Sequence, residues 1–202
     1  MVIIKYNIES SFENWCKCWK LKLKPTKTEL LHFNVHPRRK YKYEVSVQVE
    51  GATITPKDAT RYLGVIIDKE LKWLDHLQHV ESKVNPRISL LRYLAKAANE
   101  PNEKTMINIF QSIVRTVLVY GHPILLTASN RVWKRLQIIQ NKAIRASLNL
   151  PHYTSTRYIH RITNIPYIKD YATSLLQKSI NTAINNNDVI LRNNLESIMH
   201  QV

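Results

Sequence analysis

Positively charged side chains are the residues in this sequence whose type and spacing point to a chemistry. From Lys104 to Lys169 the chain has ten Lys or Arg residues and no Asp or Glu. Residues 130–149 show helical periodicity, and basic residues follow one side of that predicted helix. They are Arg131, Lys134, Arg135, Lys142 and Arg145, with Ile138 filling the gap in the column. Because such a column can run beside a phosphate backbone, we predict that it binds nucleic acid.

The same predicted helix has an apolar stripe next to its basic one. Its members are Val132, Leu136, Ile139, Ala143 and Ala146. This pattern predicts a helix with one face buried in a bundle and a column of cations facing out. The alternative is a solvated helix face, but such faces normally mix both signs of charge.

The whole chain is also strongly basic. Its 202 residues include 30 Lys or Arg and 15 Asp or Glu, for a formal net charge of +15. Such an excess attracts polyanions, and a nucleic-acid duplex (RNA–DNA or DNA) is the partner that we predict. An incidentally basic surface is the alternative. No apolar run approaches the roughly 20 residues that span a bilayer, so no membrane partner is expected.

Cysteine usage and the first residues indicate a location inside the cell. Cys16 and Cys18 are too close in sequence for an ordinary disulfide, and the chain has no second pair for a zinc site. The start of the chain lacks the apolar region of a secretory signal. We therefore expect a nuclear or cytoplasmic protein rather than a secreted one.

Familiar catalytic motifs are missing from the sequence. No nucleophile elbow, Walker loop, dinucleotide fingerprint or zinc-protease motif occurs. Asp75, His76 and His79 could share a helix face, but surface histidines are far commoner than ligands, so we predict no metal site. Asp58 and Asp68 form no adjacent pair that could hold two magnesium ions. We expect no bound cofactor and no complete small-molecule site.

The elements that position these residues change type along the chain. Residues 8–19 have the spacing of a helix, whereas residues 21–23, 29–33 and 41–49 alternate like strands around a turn at 25–28. Turns are also predicted at Glu50–Gly51, and a basic loop at residues 36–40. The fold class that follows is α+β, with an N-terminal helix and a small antiparallel β region before an α-helical bundle.

Residues 60–79 connect the two halves of the chain. Gly64 precedes the β-branched run 65–67, which indicates a bulge within a strand, a place where another backbone comes close, or a structural glycine in an edge hairpin. Helices are then predicted at 74–98, 102–119, 130–149 and 166–186. Asn102 is suited to cap the second of these, and Pro86 should kink or split the first.

Several motifs together make the sequence resemble the reverse transcriptases of non-LTR retrotransposons, in particular the jockey-like group. The resemblance is carried, in order, by Trp15 and Trp19 with Leu21 and Leu23, Lys27-Thr28-Glu29, Arg61-Tyr62-Leu63-Gly64-Val65, Asp68, Leu71, Trp73 and His76, Tyr120-Gly121, Leu136-Gln137, Gln140-Asn141-Lys142-Ala143, Arg145, Ile165-Pro166 and Ile168. Each motif is weak alone, but their order is specific. The resemblance implies the C-terminal part of an RNA-directed DNA polymerase.

The resemblance also implies domains and residue roles. Residues 1–72 would be a palm remnant, 73–150 a thumb-like helical domain, and 151–202 a helical extension with a frayed tail. Lys27 would lie near the incoming triphosphate as a general acid, and Tyr62, Leu63 and Gly64 would form the primer grip. The basic helix at 130–149 would lie in or just beyond the thumb, against the template–primer duplex.

Two departures from the family pattern bear on activity. Lys24 stands where the family usually has Asn, and the Tyr/Phe-Ala-Asp-Asp signature is absent. Those aspartates hold Mg²⁺ in the complete parent enzyme, so we expect this chain alone to be inactive. The alternatives are a stand-alone basic nucleic-acid-binding module and a helical interaction protein without polymerase activity.

Overall fold

The computed structural model describes residues 14–34, 45–97 and 101–185. It divides into two compact units, Met1–Leu71 and Lys72–Val202. Small antiparallel sheets lie in the first unit and helices make up the second, which confirms the predicted α+β class.

The first unit contains short strands joined in pairs. In chain order they are β1 (Leu30–Leu31), β2 (Val47–Val49), β3 (Ala52–Ile54), β4 (Pro56–Lys57), β5 (Ala59–Tyr62) and β6 (Val65–Asp68). The pairs β2–β3 and β5–β6 are antiparallel hairpins. The pair β1–β4 is parallel, so the predicted antiparallel region also contains a parallel pairing.

Both hairpins close through two-residue turns. Glu50 and Gly51 have φ values of 48° and 78°, and Leu63 and Gly64 have φ values of 46° and 85°. Two consecutive positive φ angles define a type I′ turn, whose twist matches that of the flanking strands. The predicted turn at Glu50–Gly51 is confirmed. At Gly64 the hairpin interpretation is right and the bulge interpretation is wrong.

The segment before β1 differs from the prediction. Residues 14–18 are helical and Trp19 lies in a turn. Residues 8–13 of the predicted helix 8–19 lie outside the described residues. The strand expected at Leu21 and Leu23 is wrong, because no other described segment pairs with residues 21–24. Instead, Leu21 N–H donates to the Cys16 carbonyl at 2.8 Å, closing the end of the helix. Pro25–Lys27 form a 3₁₀ turn, as expected for a turn there.

The strands predicted at 29–33 and 41–49 are also shorter in the structure. The first is reduced to Leu30–Leu31, and the second to Val47–Val49 within its described part. Residues 35–44, which include the predicted basic loop, lie outside the described residues.

The second unit is helical throughout its described part. Its helices are α1 (Leu74–Leu94), α2 (Glu103–Phe110), α3 (Thr116–Leu118), α4 (His122–Leu125), α5 (Asn130–Ser147), α6 (Thr156–Thr163) and α7 (Ile168–Asn185). A π-helical turn, Gln111–Arg115, joins α2 to α3. The four predicted helices are therefore present, whereas α4, α6 and the π turn were not predicted.

Local signals explain several helix boundaries. Asn102 Oδ1 accepts the N–H of Thr105 at 2.8 Å, so the predicted cap is confirmed. Pro86 lies at an exposed position within α1 and does not split the helix. In the π turn, the Ile113 carbonyl accepts a hydrogen bond from Arg87 Nη1 of α1.

Helix α5 lies at the centre of the second unit and packs against α1, α2, α6 and α7. All five residues of its predicted apolar stripe are buried. On α1, Val80, Val84, Ile88 and Leu91 form the matching buried face at helical spacing. In the described part of the chain, no helix is long and apolar enough to cross a membrane.

Candidate nucleic-acid interface

The outer face of α5 presents most of the predicted cation column to solvent. Arg131, Lys134, Arg135 and Lys142 are exposed, and Arg145 is half-buried. Ile138, which is 58% exposed, lies in the gap of the column as expected. The helix therefore combines a buried face and a cationic outer face.

Arg135 is paired within the chain. Its Nε donates to Glu81 Oε1 of α1, and this ion pair raises the pKa of Arg135 through the hydrogen bond and the carboxylate charge. Glu81 lies before the span from Lys104 to Lys169 that has no Asp or Glu, but in the fold it contacts Arg135 within that span. The charge of Arg135 is therefore partly neutralised before any ligand binds.

Arg145 is held by the loop that follows α5. Its Nε and Nη2 donate to the Thr154 carbonyl at 3.0 and 2.7 Å, and Nη2 also lies 3.3 Å from Thr156 Oγ1. Two hydrogen bonds from one guanidinium to the same carbonyl hold the guanidinium in a fixed orientation. Arg145 thus connects α5 to the start of α6, in addition to contributing its charge.

Cations in the last turn of α1 and just after it meet those of α5 at an open cleft of about 430 Å³. Arg92 and Lys96 face Lys142 and Arg145 there, and among the described residues no carboxylate lines the cleft. Sequence reasoning missed Arg92 and Lys96 because they lie outside the acid-free span and roughly 50 residues before their neighbours in the cleft. Only the packing of α1 on α5 brings the two pairs together.

The Gln-Asn motif of α5 forms a buried polar network with the segment before α7. Gln140 Nε2 donates to the Pro166 carbonyl at 2.9 Å, and Gln137 Oε1 accepts the N–H of Ile168 at 2.8 Å. Two of the family-like motifs, Gln137-x-x-Gln140-Asn141 and Ile165-Pro166-x-Ile168, are therefore direct partners. Their role in the structure is to attach α7 to α5.

His160 of α6 completes this network. Its Nδ1 lies 2.7 Å from the Ile165 carbonyl and its Nε2 lies 2.9 Å from Asn141 Oδ1. Its ring also stacks on Tyr167, with centroids 4.4 Å apart. Asn141 and His160 are buried, so these polar groups connect helices rather than facing a ligand.

In the first unit, the Lys27-Thr28-Glu29 motif is attached to the strands by its glutamate. Glu29 Oε1 accepts from Lys57 Nζ at 2.6 Å, and Oε2 accepts from Thr60 Oγ1 of β5. The hydrogen bond from Lys57 is the main cause of a lowered pKa at Glu29. Lys27 itself is exposed at the end of the 3₁₀ turn.

The predicted primer-grip residues lie at the tip of the β5–β6 hairpin. Tyr62 is 46% exposed and Leu63 is 74% exposed, whereas Val65 and Ile67 on β6 are buried. The strands thus anchor the hairpin by one face and present its turn to solvent. Thr60, which contacts Glu29, lies on β5 two residues before Tyr62.

Candidate metal ligands are not gathered in the described parts of the chain. No group of three or more His, Cys, Asp or Glu side chains there could hold an ion. Asp58 pairs with Lys69 at 2.7 Å, and Asp68 Oδ1 accepts the N–H of Glu70 at 3.1 Å. His76 is buried at the start of α1, where burial, then the positive charges of His79 and Lys83, lowers its pKa to about 4.

Comparison with known proteins identifies relatives by sequence. No family model and no solved structure matches the chain. The probable RNA-directed DNA polymerase from transposon BS of Drosophila melanogaster is 26% identical over 156 residues, which is 77% of this chain and 17% of the relative. The RNA-directed DNA polymerase from mobile element jockey of the same species is 24% identical over 168 residues, 83% of this chain and 18% of the relative.

A third relative, the RNA-directed DNA polymerase from mobile element jockey of Drosophila funebris, is 23% identical over 168 residues, which is 83% of this chain and 18% of the relative. The chain therefore spans less than a fifth of the length of these curated relatives. Over about 80% of its own length, the chain is similar in sequence, at 21–26% identity, to RNA-directed DNA polymerases of non-LTR retrotransposons such as jockey.

Proposed function

We propose that the chain is a fragment of a retrotransposon RNA-directed DNA polymerase that retains elements for binding the template–primer duplex. The observation that carries this proposal is the outer face of α5, where Arg131, Lys134 and Lys142 are exposed above a buried apolar stripe. The relatives are RNA-directed DNA polymerases by name, and such enzymes must hold a nucleic-acid duplex. Within the part of the chain that the structure describes, the cation column is the surface best suited to that task.

In this proposal the first unit is a palm remnant and the helical unit is thumb-like. The Leu63–Gly64 turn would present a primer end, and Lys27 would lie beside the incoming triphosphate as a mobile cation and proton donor. The hydrogen bonds of Glu29 to Lys57 and Thr60 support this assignment, because they connect the segment after Lys27 to the hairpin.

The residues present do not fit the two-magnesium site of the parent enzyme. In the described ranges no group of three or more His, Cys, Asp or Glu side chains could hold an ion, and Asp58 is paired with Lys69. Phosphoryl transfer by two metals requires carboxylates that hold the ions between nucleophile and triphosphate. We propose that this chain by itself binds template–primer without extending it.

Salt titration of duplex binding tests the proposal. Replacing Arg131, Lys134 and Lys142 together by Ala should reduce the slope of log affinity against log salt by about 0.9 for each phosphate that the variant no longer neutralises. Arg145 is left intact because its hydrogen bonds to Thr154 hold the loop, and Arg135 because of its pair with Glu81. Fluorescence anisotropy with a labelled blunt RNA–DNA duplex measures the slope.

The matched control removes three exposed lysines from other helices, Lys83, Lys104 and Lys178, and so changes net charge equally. It should reduce the slope less than the α5 triple variant. Equal slopes for the two variants would show that α5 is not the binding face. Primer extension by the purified chain with Mg²⁺ and deoxynucleoside triphosphates would contradict the absence of catalysis.

The alternative is a stand-alone nucleic-acid-binding or helical interaction module without polymerase connection. It is favoured by the use of Arg135 and Arg145 within the chain, since those charges then serve the fold. Genomic DNA just upstream distinguishes the two hypotheses. An open or decayed frame encoding the Asp-Asp signature supports a polymerase fragment, and its absence supports a separate module.

A further inference from the structure

The cleft between the ends of α1 and α5 has the properties of a site for one unpaired nucleotide. Its volume, about 430 Å³, lies in the range of small-molecule sites. Among the described residues, four cations line it: Arg92 from the last turn of α1, Lys96 from the turn just after α1, and Lys142 and Arg145 from the last turns of α5. Within the part of the chain that the structure describes, Arg92, Lys96 and Lys142 have no carboxylate partner.

The positive charge of these four cations is larger than the negative charge at the ends of the two helices. The C-terminal ends of α1 and α5 each carry a partial negative charge of about half a unit, which a cation in the last turn offsets. Two half-charges do not neutralise four full ones. The cleft therefore keeps a net positive potential and attracts phosphate.

An aromatic pair lies beside these cations. His152 lines the cleft, and the ring of Tyr153 meets it edge-on with centroids 5.4 Å apart. Tyr153 is 79% exposed, the largest exposed fraction among the large hydrophobic side chains of the described residues. An exposed aromatic ring next to a basic groove is the combination that binds single-stranded nucleic acid, because any base can stack on it.

The loop that carries the aromatic pair is held in place. Thr154 N–H donates to the Pro151 carbonyl at 3.1 Å, and the Thr154 carbonyl accepts two hydrogen bonds from Arg145. Asn149, with φ of 49°, ends α5 by allowing Leu150 N–H to donate to the Arg145 carbonyl at 2.9 Å. A turn that is fixed before binding loses little conformational entropy when a base stacks on Tyr153.

We infer that this cleft binds the first unpaired nucleotide of a single-stranded overhang, with its phosphates on Arg92, Lys96 and Lys142 and its base on Tyr153. The inference rests on the proposed function, since the adjoining duplex would lie along the outer face of α5. It adds a separate requirement, which is that an overhang contributes to affinity beyond the duplex itself.

The experiment compares a blunt duplex with the same duplex carrying an overhang of about four nucleotides, using the full chain and fluorescence anisotropy. We expect the overhang to raise affinity about tenfold, in the range of one base stacked on an aromatic side chain. The double variant Arg92→Ala/Lys96→Ala and the single variant Tyr153→Ala should each lose most of this gain. Both should bind the blunt duplex nearly as well as the unchanged chain.

The control variant Lys104→Ala/Lys178→Ala removes the same charge from exposed positions outside the cleft and should keep the gain. Tyr153→Phe should also keep it, because the ring face is retained. An overhang that adds nothing, or a gain that survives in both cleft variants, would overturn the inference and leave blunt-duplex binding as support for the proposed function. Failure of the unchanged chain to bind either duplex would reject both.

Discussion

Arg145 shows how a side chain expected to bind nucleic acid from the sequence acquires a second role in the fold. Its two hydrogen bonds to the Thr154 carbonyl connect α5 to the loop before α6. We predict that Arg145→Ala lowers the free energy of unfolding by about 1–3 kcal/mol, because the Thr154 carbonyl loses a charged donor. Urea unfolding followed by circular dichroism measures this.

Lys142 provides the comparison for Arg145, since it is exposed on the same helix three residues earlier. Lys142→Ala should change stability by less than about 0.5 kcal/mol. Arg145→Lys should recover only part of the loss, because an ammonium cannot reproduce the guanidinium fork. Similar losses for Arg145→Ala and Lys142→Ala would contradict the structural role.

His76 predicts a pH dependence of stability. Its pKa is about 4 in the fold against an ordinary value of 6.5, mainly because of burial. Between pH 6.5 and 4 the unfolded chain therefore binds more protons at this position than the folded chain. The free energy of unfolding should fall as the pH drops through that window, by about 3 kcal/mol, and His76 should add no pH dependence above it.

Unfolding curves at a series of pH values test this prediction. His76→Gln cannot take up the proton and should flatten the pH dependence between pH 6.5 and 4, whatever its stability at neutral pH. Asn85→Gln, at an exposed position of α1 and without a titratable group, is the control and should leave the pH dependence as it is. An unchanged slope in His76→Gln would show that His76 is not the group responsible.

At the scale of elements, the docking of α7 depends on two glutamines of α5. Gln137 accepts the first N–H of α7, from Ile168, and Gln140 donates to the Pro166 carbonyl. Gln137→Leu would leave that N–H without its acceptor, at a cost of about 1–3 kcal/mol. We expect faster amide hydrogen exchange at the start of α7 in this variant, with α1 little affected.

Gln78→Leu is the matched control, because Gln78 is an exposed glutamine on α1. It should leave the exchange of α7 unchanged. If the amides of α7 exchange equally slowly in Gln137→Leu and in the unchanged chain, the hydrogen bond from Gln137 is not needed for docking. Apolar packing, such as that of Ile168 and Ala172, would then be enough to hold the helix.

At the scale of the whole molecule, the two units differ in the size of their cores. In the described part of the first unit, the buried hydrophobic residues are Cys16, Val49, Val65 and Ile67, whereas α1, α2, α5 and α7 of the second unit each bury several. Trp15, Trp19 and Leu21 of the first unit are exposed. Because stability follows buried apolar area, we predict lower protection in the first unit.

Hydrogen exchange measured by mass spectrometry on the full chain checks this difference. Amides of the β5–β6 hairpin should exchange faster than those in the middle of α5. Leu136→Ala, at a buried position of α5, should lower stability by about 2–5 kcal/mol, whereas Ile138→Ala on the exposed side should have little effect. Equal protection of the hairpin and α5 would contradict the predicted order.

Prediction from sequence succeeded where local neighbours decide the structure. The apolar stripe of α5, the cap at Asn102 and the turn at Glu50–Gly51 depend on residues within four positions of each other. It failed at residues 21–24, because alternation indicates a strand but does not supply a pairing partner. Sequence reasoning also missed α6, which has only eight residues and lies between Pro151 and Pro166.

The sequence by itself determined that this chain is basic, α+β and similar to the RNA-directed DNA polymerases of non-LTR retrotransposons such as jockey, because composition, periodicity and motif order are properties of the linear chain. Only the tertiary structure decided which cations serve the fold and which face solvent. Arg135 meets Glu81, 54 positions away, and Arg92 and Lys96 meet Lys142 only because α1 packs on α5. Charge pairing depends on distance in space, which no spacing along the chain specifies.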